Sequence, residues 1–409
     1  MIKDKIKKLI GRKGTETLFT LKCRIFNMIC ALSPMNKEII LESHPDFTCN
    51  TFELYRYMLS RGLQSKYRLT WLVDRNTKLP KLPEHVGVLV RDPAGFMAKF
   101  KCYRRCNRAA AVITSNRHIP KNRVSKKQLN IYLDHGSHLK RLAEADGRRK
   151  QLKCDYVTCQ SDFFVPFNME QYSLTETQVV CTGLPRNDQL YRNHDSIKRL
   201  VPNADAFRKI ILWAPTFRLH KDNVRLDCKH NYPLGLPILN DLQEAIELND
   251  ALRADGILLM IKPHPAQSLD VIRALELSHI RFLYNQDLAD HDIQLNELLA
   301  QTDAMLTDYS SVYYDYLLLN RPIGLTFDDF DDYQRDKGFV FDDPLSILKG
   351  SYLYTKEDLI GFIHEIGEGR DLAREEREAT LRKVHTFMDA RSSERVYDFV
   401  IQKLMESHS

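Results

Sequence analysis

The chain predicts an α/β protein with two parallel sheets, each wrapped by helices, and three observations carry that prediction. Short β-rich runs alternate with helical patterns, the signature of strands joined by crossover helices. The alternation occurs twice, on either side of a polar, proline-containing segment at 191–206. The candidate functional motifs all fall at the C-terminal ends of these runs, where open parallel sheets place their ligands.

The first series has strand-like runs at 38–42, 68–73, 86–90, 110–114, 130–133 and 155–159, with helical stretches at 51–62 and 94–107 between them. The second has runs at 209–214, 257–262, 280–283, 304–307 and 322–326, with helices near 239–254, 293–301 and 311–319. Charged helices follow from 356 to the end. The chain thus divides into a basic amphipathic segment at 1–36, a Rossmann-like half at 37–200, a second at 201–380 and a C-terminal helix at 381–409. A catalytic cleft is expected between the two halves.

The most informative stretch is 304–319, AMLTDYSSVYYDYLLL. Its apolar run breaks at Thr307-Asp308-Tyr309-Ser310-Ser311 and restarts at helical spacing, so a strand ends on a helix start. Two hydroxyls at a helix N-terminus, beside unpaired backbone N–H groups and the positive end of the dipole, suit a phosphate or diphosphate. Asp and Ser also occur there as plain caps. Asp315, four residues past Ser311, returns on the same helical face, either to bind donor hydroxyls or as a surface carboxylate.

Other strand ends carry further candidates. Tyr132-Leu133-Asp134-His135-Gly136-Ser137-His138-Leu139 follows the fifth run. A histidine beside a glycine can approach a substrate closely, and its ordinary pKa near 6.5 suits it to take a proton from an attacking hydroxyl. His135 and His138 at i, i+3 without a carboxylate make a poor zinc pair, and no metal ligand is assigned. Thr182-Gly183-Leu184-Pro185-Arg186 forms a turn presenting Arg186, a cation suited to fork onto phosphate oxygens. Pro215 and Thr216 end one run of the second half. Another ends in Lys262-Pro263-His264, which places charge where a leaving diphosphate needs it neutralised. The acidic run at 327–333 reads as a solvated loop, with a loosely held magnesium as the alternative.

Composition narrows the function classes. At 409 residues and 43% apolar content, the chain supports two cores. The nine cysteines are scattered without a CxxC pair, which fits a reducing, cytoplasmic setting. No window approaches the roughly 18–20 apolar residues of a membrane span. Through Arg24 there are eight Lys or Arg against two acidic residues, a surplus of six equal to the net charge of the whole chain. With apolar residues near helical spacing, this segment suits a helix lying on an anionic membrane or, alternatively, a solvated helix packed on its own domain. A second basic region between Asp92 and Asp134 has no acidic residue and includes Lys99, Lys101, Arg104, Arg105 and Arg108. It suits polyanions, but no zinc finger, RRM or helix-turn-helix pattern accompanies it, so nucleic acid is not expected as a partner.

The ordered blocks LDHGSHLKRL, CTGLPRND, LWAPTFR, IKPHP, LTDYSSVYYDYLLLNRPIG, KGFVFD and, more loosely, MDARSSERVYDFV resemble those of the CDP-glycerol glycerophosphotransferases that build teichoic acids and related polymers. The resemblance implies a GT-B-like fold, no cofactor, and a peripheral location on the cytoplasmic face of the membrane. It implies transfer of glycerol phosphate from CDP-glycerol to a lipid-linked or polymer acceptor in teichoic acid or capsular polysaccharide synthesis, with release of CMP. Catalytic roles fall on His135, as general base, and His264. Donor-binding roles fall on His135, Gly136, Ser137, His138, Leu139, Arg186, Pro215, Thr216, Lys262, Pro263, His264, Ser310, Ser311 and Asp315. Two departures bear on the donor: the family's HGTPLK reads HGSHLK here, and its RMHP reads KPHP. Relatives using CDP-ribitol share the scaffold. Other readings are a GT-B glycosyltransferase using a nucleotide sugar and a non-catalytic polyanion- or membrane-binding protein. Oligomeric state has no sequence signal.

Overall fold

A computed structural model describes Met28 and residues 34–115, 125, 127–141, 152–216, 232–263 and 269–407. The expected amphipathic segment at 1–36 lies largely outside these, as do His264 and part of the second basic region.

The first sheet has seven strands in the order β3-β2-β1-β4-β5-β6-β7. They are β1 (Asn36–Glu42), β2 (Arg68–Val73), β3 (Gly87–Val90), β4 (Ala109–Thr114), β5 (Leu129–Tyr132), β6 (Tyr156–Cys159) and β7 (Val179–Cys181). The second sheet has the order β10-β9-β8-β11-β12-β13. It comprises β8 (Lys209–Ala214), β9 (Ile257–Ile261), β10 (Ile280–Phe282), β11 (Ala304–Thr307), β12 (Ile323–Thr326) and β13 (Ser351–Leu353). Pairing is parallel from β3 through β6 and throughout the second sheet. In both sheets the order reverses beside the first strand, as in doubly wound folds.

The second sheet shows why its runs are almost continuously apolar. Leu212, Leu258, Met260 and Met305 enter one core cluster, while their neighbours Ile211, Trp213, Leu259, Ile261 and Leu306 enter another. Successive side chains point to opposite faces, so a parallel strand covered on both sides needs an apolar residue at every position. Burying each such side chain contributes about 1.5–3 kcal/mol.

The described residues fall into two compact units: one of 1–135, 152–157 and 394–409, the other of 136–151 and 158–393. In the first unit, Val396, Val400 and Leu404 of the C-terminal helix Ser392–Glu406 pack with Ile39, Leu54, Trp71 and Ile113. Trp71 is ringed by Phe47 at 4.7 Å and Tyr55 at 5.4 Å. Among the described residues no helix is long and apolar enough to cross a membrane.

Candidate functional site

In the second unit the tips of β8 and β11 are stitched together by one buried carboxylate. Asp308, with no exposed surface, accepts hydrogen bonds from the Thr216 N–H at 2.9 and 3.0 Å and from the Tyr309 N–H at 2.6 Å. The Thr307 hydroxyl adds a bond to the Ala214 carbonyl at 2.9 Å. Tyr309 is also fully buried: its ring stacks on Tyr333 at 4.0 Å and on Phe327 at 5.4 Å, and its hydroxyl donates to Asp329 at 2.9 Å. Pro215 is buried and Thr216 is only 8% exposed, so the ordered β8 tip belongs to this scaffold. From it Ser310 and Ser311 emerge half-buried.

The helix that follows is shorter than expected, Val312–Leu317 against 311–319. Leu318 and Leu319 close tighter bonds to Asp315 and Tyr316, and Asn320 then takes positive φ. With fewer than two turns the dipole is weak, so the anion-holding capacity here rests on side chains rather than on the helix terminus. The Ser311 side chain makes no capping bond; the Ser310 hydroxyl accepts from Val312 N–H at 3.4 Å. Three buried tyrosines fix this helix. Tyr313 donates to the Ile347 carbonyl at 2.8 Å, Tyr316 bonds the Thr302 hydroxyl at 3.0 Å, and Tyr314 donates to the His138 carbonyl at 3.4 Å. Burial pushes all three phenols well above their ordinary pKa, so they stay neutral.

Against Ser311 stands Gly136. Its φ is +146°, and a Cβ there would lie 2.6 Å from Ser311 Oγ and 3.1 Å from Arg186 Nη2. Glycine is needed both for the backbone conformation and for the close approach. Arg186 Nη2 lies 2.8 Å from Asp315 Oδ2, with the two side chains 12% and 3% exposed. Asp315 is therefore not a surface carboxylate: it is the buried counter-ion that aims the guanidinium. Gly136, Arg186, Ser311 and Asp315 thus form one constellation, a hydroxyl and an arginine fork meeting over a bare backbone.

The loop carrying Gly136 is held from behind. Ser137 donates to Gln160 Oε1 at 2.9 Å, and Gln160 Nε2 donates to the Val384 carbonyl at 3.1 Å. Beside it the buried His385 bonds the Tyr314 carbonyl through Nε2 at 2.8 Å. The side chains of Ser137, His138 and Leu139, expected among the donor contacts, are buried against protein. His138 is 5% exposed with its ring edge-on to Tyr172 at 4.9 Å. Leu139 enters the core, and its carbonyl accepts from Val340 N–H at 3.0 Å.

Arg186 is positioned by a chain of short links. Gly183 takes φ +75° and packs where a Cβ would meet Ser392 Oγ at 2.5 Å. Thr182 and Gly183 both donate backbone N–H to the Cys159 carbonyl. Asn187 accepts from Asn296 at 3.0 Å. Buried Asp188 accepts the N–H groups of Ser392 and Ser393, both at 2.9 Å, and so caps the start of the C-terminal helix from a distant part of the sequence. The PRND block is therefore mated to Ser392 and Ser393.

Lys262 donates to Asn285 Oδ1 at 2.9 Å, and burial pushes its ammonium below the usual lysine range. Pro263 is buried. In the first unit His135 is exposed, its N–H bonded to Asp134 Oδ1 at 2.6 Å. The 327–333 run is not a solvated loop at its start: Asp328 accepts from Tyr232 and Ile238, and Asp329 is 3% exposed. Among the described residues no cluster of His, Cys, Asp and Glu is arranged to hold a metal ion. Sequence reasoning missed Asp188, Gln160 and His385, and passed over Asp308 as a cap. Only Asp308, a carboxylate directly after an apolar run, gave a local signal.

Two parallel-sheet layers with functional groups at the strand tips define a GT-B-like α/β protein. The wall teichoic acid polymerase TagF superposes with a TM-score of 0.70 over 97% of this chain and 98% of that one, at 20% identity. The sequence pattern of the CDP-Glycerol:Poly(glycerophosphate) glycerophosphotransferase family matches residues 25–402, and the chain belongs to that family. A teichoic acid poly(glycerol phosphate) polymerase of Bacillus spizizenii is 26% identical over 387 residues, 88% of this chain and 91% of the relative. A teichoic acid ribitol-phosphate primase of the same organism is 28% identical over 253 residues, 60% of this chain and 59% of the relative. The chain thus spans under two thirds of the primase and nearly all of the polymerase.

His385 makes stability pH-dependent. Burial lowers its pKa from 6.5 to about 4, so between those values the unfolded chain binds a proton that the folded chain refuses. Its contribution is complete above about pH 6.5 and is lost as pH falls toward 4, by up to about 3 kcal/mol. Urea unfolding of wild type and His385→Asn at pH 7 and 4.5 checks this: the variant should lose less stability on acidification, and an equal loss in both would refute it.

Proposed function

We propose that this chain transfers glycerol phosphate from CDP-glycerol to a hydroxyl of a lipid-linked or polymer acceptor in teichoic-acid-type synthesis, releasing CMP. The observation that carries the proposal is the Gly136–Ser311–Arg186–Asp315 constellation, joined to family membership. A hydroxyl and a fixed guanidinium converging on a bare backbone gather hydrogen-bond donors suited to diphosphate oxygens, which Arg186 matches through its fork.

In this mechanism the acceptor oxygen attacks the phosphorus bearing glycerol. The bond from that phosphorus to the bridging oxygen breaks, and CMP leaves with the bridging oxygen as a terminal phosphate oxygen. The acceptor's proton passes to His135, the residue directly before Gly136. Arg186, Ser310 and Ser311 hold the diphosphate, while Lys262 and His264 balance charge on the leaving group. Thr216 and Pro215 shape the site through the Asp308 clamp. Similarity to a ribitol-phosphate primase supports CDP-ribitol as the alternative donor. Incubation with CDP-glycerol, CDP-ribitol and UDP-sugars should show CDP-glycerol consumed and CMP released by wild type, and neither by His135→Gln. Consumption of a UDP-sugar alone would end the proposal.

The site of action is proposed as the cytoplasmic membrane surface. The helix Phe96–Arg108 exposes Phe96 (61%) and Met97 (70%), with Lys101 and Arg104 also exposed. Apolar tips among cations suit an anionic interface. Each cation there is worth about 1 kcal/mol, so Lys101→Glu with Arg104→Glu should lower sedimentation with phosphatidylglycerol vesicles about tenfold or more; undiminished binding would remove this helix from the account.

A further inference from the structure

The exposed His135 imidazole has a neighbour that sequence reasoning passed over. Its Nδ1 lies 3.7 Å from Cys49 Sγ, within hydrogen-bond reach for sulfur. Cys49 is the first residue of the helix Cys49–Ser60, and its φ is +63°, a conformation side-chain-bearing residues seldom adopt. Two residues earlier Phe47 has φ +58°. The helix start is tied directly to the loop of His135: Asn50 Nδ2 donates to the carbonyls of Leu133 at 3.0 Å and Asp134 at 3.1 Å. Thr51 ties the same turn to the sheet, through its N–H to Ser115 Oγ at 2.9 Å and its hydroxyl to the Glu42 carbonyl at 2.9 Å. Thiol and imidazole are thus set on two anchored segments that hold each other.

We propose that Cys49 is the positioning residue of the base, accepting a hydrogen bond from His135 Nδ1–H so that the Nε2 lone pair faces the acceptor hydroxyl. The inference rests on His135 being the base. With Nδ1–H directed at the thiol, Nε2 is the nitrogen that takes the proton, and it can do so only in the Nδ1–H tautomer. In a neutral imidazole the proton's position follows the hydrogen bond made by the other nitrogen. A thiol is both a weak donor and a weak acceptor; acting here as the acceptor, it favours the Nδ1–H tautomer and restrains the exposed ring. When Nε2 takes the acceptor's proton, the imidazolium keeps its Nδ1–H···Sγ bond, and no proton leaves toward the thiol.

Three variants of the full chain test this. Cys49→Gly removes the sulfur and relaxes a backbone that already sits at positive φ, so lost activity cannot be laid to strain. Cys49→Asn tolerates that φ and supplies an amide oxygen as acceptor. His135→Gln tests the base itself. With CDP-glycerol as donor, Cys49→Gly should lower kcat about tenfold or more at unchanged KM, and Cys49→Asn should recover most of it. Nitrogen NMR of the histidine-labelled protein should show His135 as Nδ1–H in wild type and shifted toward Nε2–H in Cys49→Gly. Wild-type kcat in Cys49→Gly, or lost activity with an unchanged tautomer, overturns the proposal. If His135→Gln stays active, the base reading has failed; if it is inert while Cys49→Gly turns over normally, only the role of Cys49 has failed.

Discussion

The candidate site depends on the absence of one side chain. Because Gly136 has no Cβ, Ser311 and the Arg186 guanidinium close to within contact of its backbone, and any larger residue would drive them apart. What prevents Arg186 from swinging away is Asp315, buried beneath it at 2.8 Å. A half-buried ion pair of this kind is weak evidence for stability, since desolvation offsets much of the attraction. Its value lies in direction: a guanidinium already held in place loses little entropy when an anion arrives.

Around that centre the chain uses buried carboxylates as connectors. Asp308 joins the β8 and β11 tips, Asp188 joins the Arg186 loop to the start of the C-terminal helix, and Asp329 receives the Tyr309 hydroxyl. Each accepts hydrogen bonds from groups that would otherwise be buried unsatisfied, at a cost of about 1–3 kcal/mol apiece. Burial raises the pKa of Asp188 above the usual carboxylate range, and the N–H groups of Ser392 and Ser393 pull it back, so the fold tolerates the charge only while those donors stay in place. Positioning the site and stabilising the fold are therefore the same set of bonds.

The sheets were legible because their runs carry their own pattern. β2, β8 and β11 begin and end where the apolar runs do. β7 and β13, three residues each, are too short for any periodicity and went unseen. The helix after Ser311 was read too long because its apolar spacing continues past Leu317, although the backbone tightens there. In the site, positions announced by turn chemistry, such as Gly136 and Arg186, were visible. Partners distant in sequence were not: Asp315 was found, but its pairing with Arg186, far off along the chain, was not. The edge-on packing of His138 against Tyr172, well further on in the chain, likewise has no local signal.

Titrating CDP-glycerol calorimetrically into Gly136→Ala, beside wild type and with folding checked by circular dichroism, tests the central claim most directly. An added methyl must displace Ser311 or Arg186, so the account predicts a folded protein that binds the donor about 100-fold more weakly, near 2.7 kcal/mol. A folded Gly136→Ala variant that binds CDP-glycerol as tightly as wild type would contradict it.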